Sequence, residues 1–470
     1  VDFFVLQGAM VAAIAVITVI LWLRTSSPSF LVAAGAMYYW SLHGAWGIII
    51  DHTGSDSGLH YQYLEQELFP IRLDSDYFLA LSLYGFFIIT TLLSALFLSR
   101  RDVKGRRPNI EPVRVSPGVL LAISVVFAIF ALVVTAGSLA DAVATDSSLY
   151  SVARPELETG GTFVLYQISM EMALIGVFLG LVSQIGGNEG WLIVANRNRG
   201  VFAGNVALLA ALFVYAVVAG SKGVMFSTTI FAFILHMANT PRPRYLATGI
   251  AAITGIYIII SIDVLRYYSP TQLLGLTSIP PQLDELTDSL TKSNEAFGAH
   301  FSMYGVLSYN VPPTYGLGVE SLLRSLLPKF AQLVDRGSDL YQYYIDKVGG
   351  ATAQGFSIHY ATGWYLDFGV PGIAVGSVLL GGALALFYNI RHPRVRPRAL
   401  LTRSMIVSAP AAFIANFPYM LRAPGIESVK GMLIDSVALP AILLFVAASF
   451  GEARASARRN VSPLFRRDAA

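Results

Sequence analysis

The sequence contains no cysteine, and only 13% of its residues are charged. Without cysteine there are no disulfides, no zinc–thiolate centres and no thiol nucleophile. Soluble domains carry about 25% charged residues. The low charge, together with 55% hydrophobic residues and a mean hydropathy of +0.60, therefore excludes an ordinary soluble protein. No repeat, low-complexity tract or phosphate-cradling glycine-rich loop is present, which leaves repeat arrays and nucleotide-driven chemistry without support. Paired, Gly/Pro-broken spans of the kind that mark inverted-repeat transporters are also missing. The net charge of +3 carries no signature of a nucleic-acid partner. The first apolar run, Phe3 to Leu23, lacks a basic leading segment and reads as a retained helix, not a signal peptide.

What the chain does have is apolar runs of about 20 residues, the length that spans a bilayer's hydrocarbon core. The expectation is an all-α polytopic integral membrane protein with about eleven transmembrane helices, within a range of about ten to twelve. The spans fall near 3–23, 30–50, 76–98, 117–137, 161–184, 201–219, 222–238, 246–264, 366–390, 404–421 and 432–450. Of the 32 Lys and Arg residues, 21 lie in one set of alternating segments, and 24 of the 29 acids lie in the other set or its spans. Basic loops stay in the cytoplasm, so the C-terminus reads as cytoplasmic and the long 265–360 interval as extracytoplasmic. The organisation expected is a bundle of about eight helices over 1–264, a partly helical loop over 265–360, further spans over 361–450 and a basic tail over 451–470.

The long loop is where chemistry-bearing residues gather. Pro280 to Ala299 reads as a polar helix, and Val319 to Val334 as an amphipathic one suited to the membrane surface or to roofing a cavity. Ten of the 23 tyrosines lie between 261 and 365, among them Tyr315 and Tyr360, with Trp364 beside them. They suit glycan binding or, equally, anchoring at headgroup level. Arginine on the outer side runs against the positive-inside bias, so Lys222, Arg266, Arg324, Lys329, Arg336 and Arg422 each need a local reason. A diphosphate would supply one for at least one of Arg266, Arg324 and Arg422; pairing with Asp335, Asp339 or Glu427 is the alternative. His359 is followed by Asp367 and the Gly369-Val-Pro-Gly372 turn, and a histidine there could take a proton from an attacking hydroxyl.

The pattern of His359 followed at ten residues by Gly-x-x-Gly resembles the motif of bacterial O-antigen polymerases and O-antigen ligases. Gly220-Ser-Lys-Gly223, Tyr315-Gly316 leading to Leu326-Leu-Pro-Lys329, and Phe417-Pro-Tyr-Met-Leu-Arg422 resemble further stretches of that family in the same order. The likeness covers roughly residues 200–440. Lys222 stands where the family usually has arginine, and Tyr360 where a small polar residue is common.

The resemblance implies a GT-C-like, metal-independent glycosyltransferase with no cofactor, in the bacterial cytoplasmic membrane. Its donor would be an undecaprenyl-diphosphate-linked oligosaccharide, and its partners membrane lipids and a chain-length-regulating co-polymerase. It implies that His359 activates or orients the acceptor hydroxyl, with Arg266 and Arg422 as the other catalytic positions. Lys222 joins these arginines in holding the diphosphate, and Arg324, Lys329, Arg336, Tyr315, Tyr360, Trp364 and Asp367 contact phosphate or glycan. A polymerase of O-antigen, capsular or exopolysaccharide units is the leading expectation. A ligase onto a lipid or protein acceptor, or a lipid-oligosaccharide transporter, are the alternatives.

Two other features compete. Asp51, His52, Asp56, His60, Asp74 and Asp76 share the first outer loop, where paired carboxylates could bind a divalent cation or simply be solvated. Glu171 lies inside a span, suiting either an ion relay or a buried hydrogen bond. The basic tail suits anionic headgroups.

Overall fold

In lipid every backbone N–H and C=O must be satisfied within the segment, so a long apolar run crosses as a helix. The computed structural model describes residues 2–51, 72–101, 109–148, 162–219, 221–240, 269–273, 294–326, 339–348, 357–391, 393, 396–425 and 437–465. These are almost entirely helical. In chain order they form α1 (Phe3–Thr25), α2 (Pro28–Tyr38), a π-helical turn (Tyr39–His43), α3 (Gly44–Asp51), α4 (Ser75–Leu98), α5 (Pro117–Ala144), α6 (Thr162–Gly186), α7 (Arg199–Val218) and α8 (Lys222–Asn239). There follow α9 (Pro270–Leu273), α10 (Asn294–Ser308), α11 (Leu317–Leu326), α12 (Leu340–Val348), α13 (Tyr360–Ile390), α14 (Leu400–Met420) and α15 (Leu439–Phe465). Among the described residues seven helices, α1, α4, α5, α6, α7, α13 and α14, are long and apolar enough to cross a membrane. The protein is thus an all-α, multi-pass membrane protein.

Local chemistry sets the helix starts. The Asp2 carboxylate accepts the N–H groups of Phe4 and Val5 at the head of α1, and Asp74 accepts that of Tyr77 at the head of α4. Pro28 and Pro117 occupy first-turn positions, where a missing N–H costs nothing.

The elements sort into two compact units that interleave along the chain. The first holds residues 1–106, 292–390 and 416–434. Here α1 buries one stripe, Gln7, Met10, Ile14, Thr18 and Leu21, at helical spacing. A Cβ at Gly85 of α4 would lie 2.2 Å from the Met10 sulfur, so the glycine leaves room for that side chain where α1 packs on α4. Gly381 of α13 fits against the backbone of Thr91 in the same way.

The second unit holds residues 107–291, 391–415 and 435–470. Its centre is α6, buried on most sides, with Gly176 receiving Ser124 of α5 and Gly180 receiving Asn205 of α7. Two short parallel strands, β1 (Val113–Arg114) and β2 (Ile193–Val194), close one end. The Asn239 side-chain oxygen accepts the N–H groups of Leu192 and Ile193 to hold β2.

Several boundaries differ from the sequence expectation. The second expected span is interrupted by the π-helical turn. Helix α13 starts at Tyr360, not 366, so Tyr360, Trp364 and Asp367 are helical. The Gly369-Val-Pro-Gly372 turn is a break inside that helix: Gly369 adopts φ 66°, ψ −152°, and Pro371 has no N–H to bridge it. The chain therefore folds Trp364 against Gly372 and Gly376, where any Cβ would clash with the Trp364 backbone or indole. Residues 451–465, expected as a tail, continue α15. The amphipathic helix is α11, ending at Leu326; 327–334, the expected span at 246–264 and most of the polar helix over 280–299 lie outside the described residues.

Candidate functional site

His359 is the first residue of the site to place, because it does a backbone's work. It stands at the N-cap of α13: its carbonyl accepts the Gly363 N–H at 3.0 Å, and its Nδ1 accepts the Ala361 N–H at 3.1 Å. An Nδ1 that accepts carries no proton, so the proton is on Nε2, which donates to the Ser41 hydroxyl at 2.9 Å. The ring is fully buried, edge-on to Tyr84 and Phe87. Burial first, and His300 nearby second, push its pKa down to about 3. A neutral ring is thus required three times over: by burial, by the cap and by the positive end of the helix dipole.

His300 of α10 was not singled out from the sequence, and it sits in the same buried network. Its Nδ1 lies 2.6 Å from the Ser41 carbonyl, which can only accept, so Nδ1 donates. Its Nε2 therefore accepts, from the Tyr77 hydroxyl at 2.9 Å. Burial lowers its pKa to about 4, against the opposing pull of the Ser41 bond. Around both rings Tyr84, Ser302 and Thr362 bond one another, and Ser302 accepts the His359 backbone N–H at 3.1 Å. The only sequence signal for His300 was a histidine inside the apolar run Ala-His-Phe-Ser-Met-Tyr.

Arg422 follows α14 and is tied to the same place. The Tyr360 N–H donates to the Leu421 carbonyl at 3.0 Å, and the Arg422 Nε–H donates to Ser357 at 3.1 Å. Its guanidinium carbon lies 5.1 Å from the centre of the buried Trp40 ring. A Cβ at Gly363 would lie 2.2 Å from the Gly425 nitrogen, so glycine permits the 421–425 turn to lie on the start of α13. A half-buried cation, a buried polar network and a helix N-terminus thereby share one end of the first unit.

The other motif residues divide clearly. Asp367 accepts from the Thr314 hydroxyl at 2.8 Å and from the Gly318 N–H at 2.9 Å, so its carboxylate caps α11 from outside that helix. This joins the Tyr315-Gly316 stretch to the His359 stretch. Tyr315 is held at φ 56°, a strained conformation for an aromatic residue, and is 79% exposed. Tyr360 and Trp364 are buried. Arg324 is paired with Glu320 one turn away on α11. Lys222 starts α8 and belongs to the second unit. Arg266, Lys329 and Arg336 lie outside the described residues, as do His52, Asp56 and His60. Asp74 is engaged as a cap and accepts from the Tyr304 hydroxyl at 3.2 Å. Among the described residues no group of three or more His, Asp or Glu side chains could hold a metal.

The network also limits its own chemistry. Ser41 and His359 are in contact, yet the ring's proton already points at the serine oxygen, which is the wrong tautomer for drawing a proton from it. In this arrangement His359 donates and positions. Comparisons with protein-family models, with curated proteins and with solved structures return no match for this chain.

Proposed function

We propose that the protein is a membrane glycosyltransferase that joins undecaprenyl-diphosphate-linked oligosaccharide units into a polysaccharide at the outer face of the bacterial cytoplasmic membrane. The observation that carries this reading is Arg422, fixed over Trp40 and bonded to Ser357 beside the N-terminus of α13. A planar cation held beside the positive end of a helix suits a diphosphate. The order of the family-like stretches supports the same reading, as does the bond between two of them through Asp367.

In the proposed reaction a hydroxyl of the incoming unit attacks the anomeric carbon that carries the growing chain. The new carbon–oxygen bond forms as the bond from that carbon to the diphosphate oxygen breaks. The electron pair leaves on the diphosphate, where Arg422 stabilises the charge, and the acceptor's proton ends on the departing diphosphate. His359 was expected to activate or orient the acceptor hydroxyl; its neutral, fully buried and doubly engaged ring suits a different role, holding the start of α13 in place for Arg422.

The test is a reaction of the purified protein with synthetic undecaprenyl-diphosphate repeat units in the presence of EDTA, read as a ladder on a gel. The expected result is a ladder with release of free undecaprenyl diphosphate. Arg422→Ala should abolish it, and Arg422→Lys should lose most of it, because an ammonium neither stacks on Trp40 as a plane nor binds phosphate bidentately. Absence of a ladder with matching units would overturn the reading. Transfer of finished polymer to a lipid or protein acceptor would reassign the protein as a ligase.

A further inference from the structure

The π-helical turn Tyr39–His43 lies between α2 and α3 and carries Trp40 and Ser41, the two residues that meet Arg422 and His359. A π turn holds an extra residue, and such turns occur as isolated insertions, often at functional sites. Each helical residue advances about 100°, so regularising the turn would rotate the side chains relative to α3 by about that angle. Trp40 and Ser41 could not then keep both partners.

Two side chains from other helices grip this turn. Gln7 of α1 donates from Nε2 to the Leu42 carbonyl at 2.7 Å, and His300 of α10 donates from Nδ1 to the Ser41 carbonyl at 2.6 Å. Both are buried. Gln7 is the more telling, because its side-chain oxygen has no partner among the described residues although the residue is fully buried within a span. Burying half an amide without compensation is unfavourable in an apolar interior. For packing alone a leucine would serve α1 better, so what the glutamine contributes is the bond to Leu42.

We infer that Gln7 and His300 are positioning residues that hold the π-helical turn in the register that brings Ser41 to His359 and Trp40 beneath Arg422. The geometric part of this inference stands without the glycosyltransferase reading; only its effect on turnover rests on that reading.

The experiment uses the full chain in lipid nanodiscs, with histidine ring nitrogens labelled for NMR and the His359 signals assigned by their loss in His359→Asn. In the unsubstituted protein His359 should show a protonated Nε2 and a bare Nδ1. Gln7→Leu should be as thermally stable as the parent or more so, yet should shift the His359 Nε2 signal to that of a ring whose bond to Ser41 is lost, with Nδ1 still bare against the Ala361 N–H, and slow chain elongation on the order of a hundredfold, the cost of an ångström-scale misplacement. His300→Leu should do the same, whereas His300→Asn, whose amide nitrogen can replace Nδ1 as donor, should restore the parental Nε2 signal. If Gln7→Leu leaves the His359 signals unchanged, or merely lowers thermal stability while the Nε2 signal persists, the inference fails. If the Nε2 signal shifts as expected but the unsubstituted protein makes no polymer, the functional reading fails and the positioning role stands.

Discussion

In the first unit the polar side chains buried around His359 are neutral: two histidines, two serines, a threonine and two tyrosines, each bonded to another or to a backbone group. In the second unit a guanidinium is buried instead. Arg403 of α14 donates to the Glu452 carboxylate at 2.6 Å and lies 3.7 Å from Glu111. The difference lies in what each place offers. Beside Arg403 two carboxylates reach in from the surface; Glu452 is still 36% exposed, so it brings countercharge without full desolvation. Among the described residues no carboxylate is bonded to His359 or His300, so neither imidazolium would be compensated, and the rings stay neutral and act as caps and clamps. Charge inside this protein follows the supply of partners, not the residue type.

The comparison is tested most severely at Arg403. Removing a carboxylate leaves a buried cation half paired, whereas removing the cation leaves carboxylates that water can reach. Glu452→Gln should therefore destabilise by on the order of 3 kcal/mol and Arg403→Met by about 1 kcal/mol. Chemical unfolding in detergent, followed by tryptophan fluorescence, would measure both. Equal losses, or a larger one for Arg403→Met, would show that the carboxylates do not sustain the cation.

Acid should strike the first unit. Both histidines have pKa values below the ordinary 6.5 when folded, so between that value and about 3 to 4 the unfolded chain binds more protons. Their contribution is complete above about pH 6.5 and lost as pH falls, on the order of 2 kcal/mol for each histidine by about pH 5. His359→Asn keeps an N-cap oxygen but removes one titrating ring; since burial lowers the pKa of His236 as well, the fall in thermal midpoint between neutral pH and pH 5 should shrink, but by less than half. An unchanged slope would mean that His359 is not buried neutral.

These features were unequally legible in the sequence. Membrane character and helices α1, α4, α6 and α7 followed from apolar length, since the bilayer sets a span's extent within a few residues; the span expected at 222–238 is the helix α8, which is not among those long and apolar enough to cross. His359 stood out through its spacing from Gly369 and Gly372. The Ala361 N–H fixes its tautomer, but the Ser41 hydroxyl that its Nε2 meets lies 318 residues away in sequence, so that pairing could not be read. His300 and Gln7 were passed over for the same reason: a lone polar residue in an apolar run acquires meaning only from the carbonyl it meets. Asp367 carried a local signal and had a non-local role, capping a helix that begins fifty residues earlier. Extending α13 back to Tyr360 required the His359 cap, which no propensity scale registers.

The smallest effect sharpens the comparison from the neutral side. Thr362 meets the Ser302 hydroxyl at 2.9 Å and the Tyr84 hydroxyl at 3.3 Å. Both of those groups keep other partners, since Ser302 also donates to the Ala299 carbonyl at 2.6 Å and Tyr84 reaches the carbonyls of Ala299 and His300. Thr362→Val keeps the shape and strands nothing, so it should cost about 0.5–1 kcal/mol, the net worth of a neutral hydrogen bond. Ser302→Ala should cost about twice as much, because it leaves the buried His359 N–H without an acceptor. Thermal unfolding of the two variants side by side decides the matter. If Thr362→Val were as damaging as Glu452→Gln, the neutral network would be as dependent on single partners as the buried cation, and the contrast between the two units would collapse.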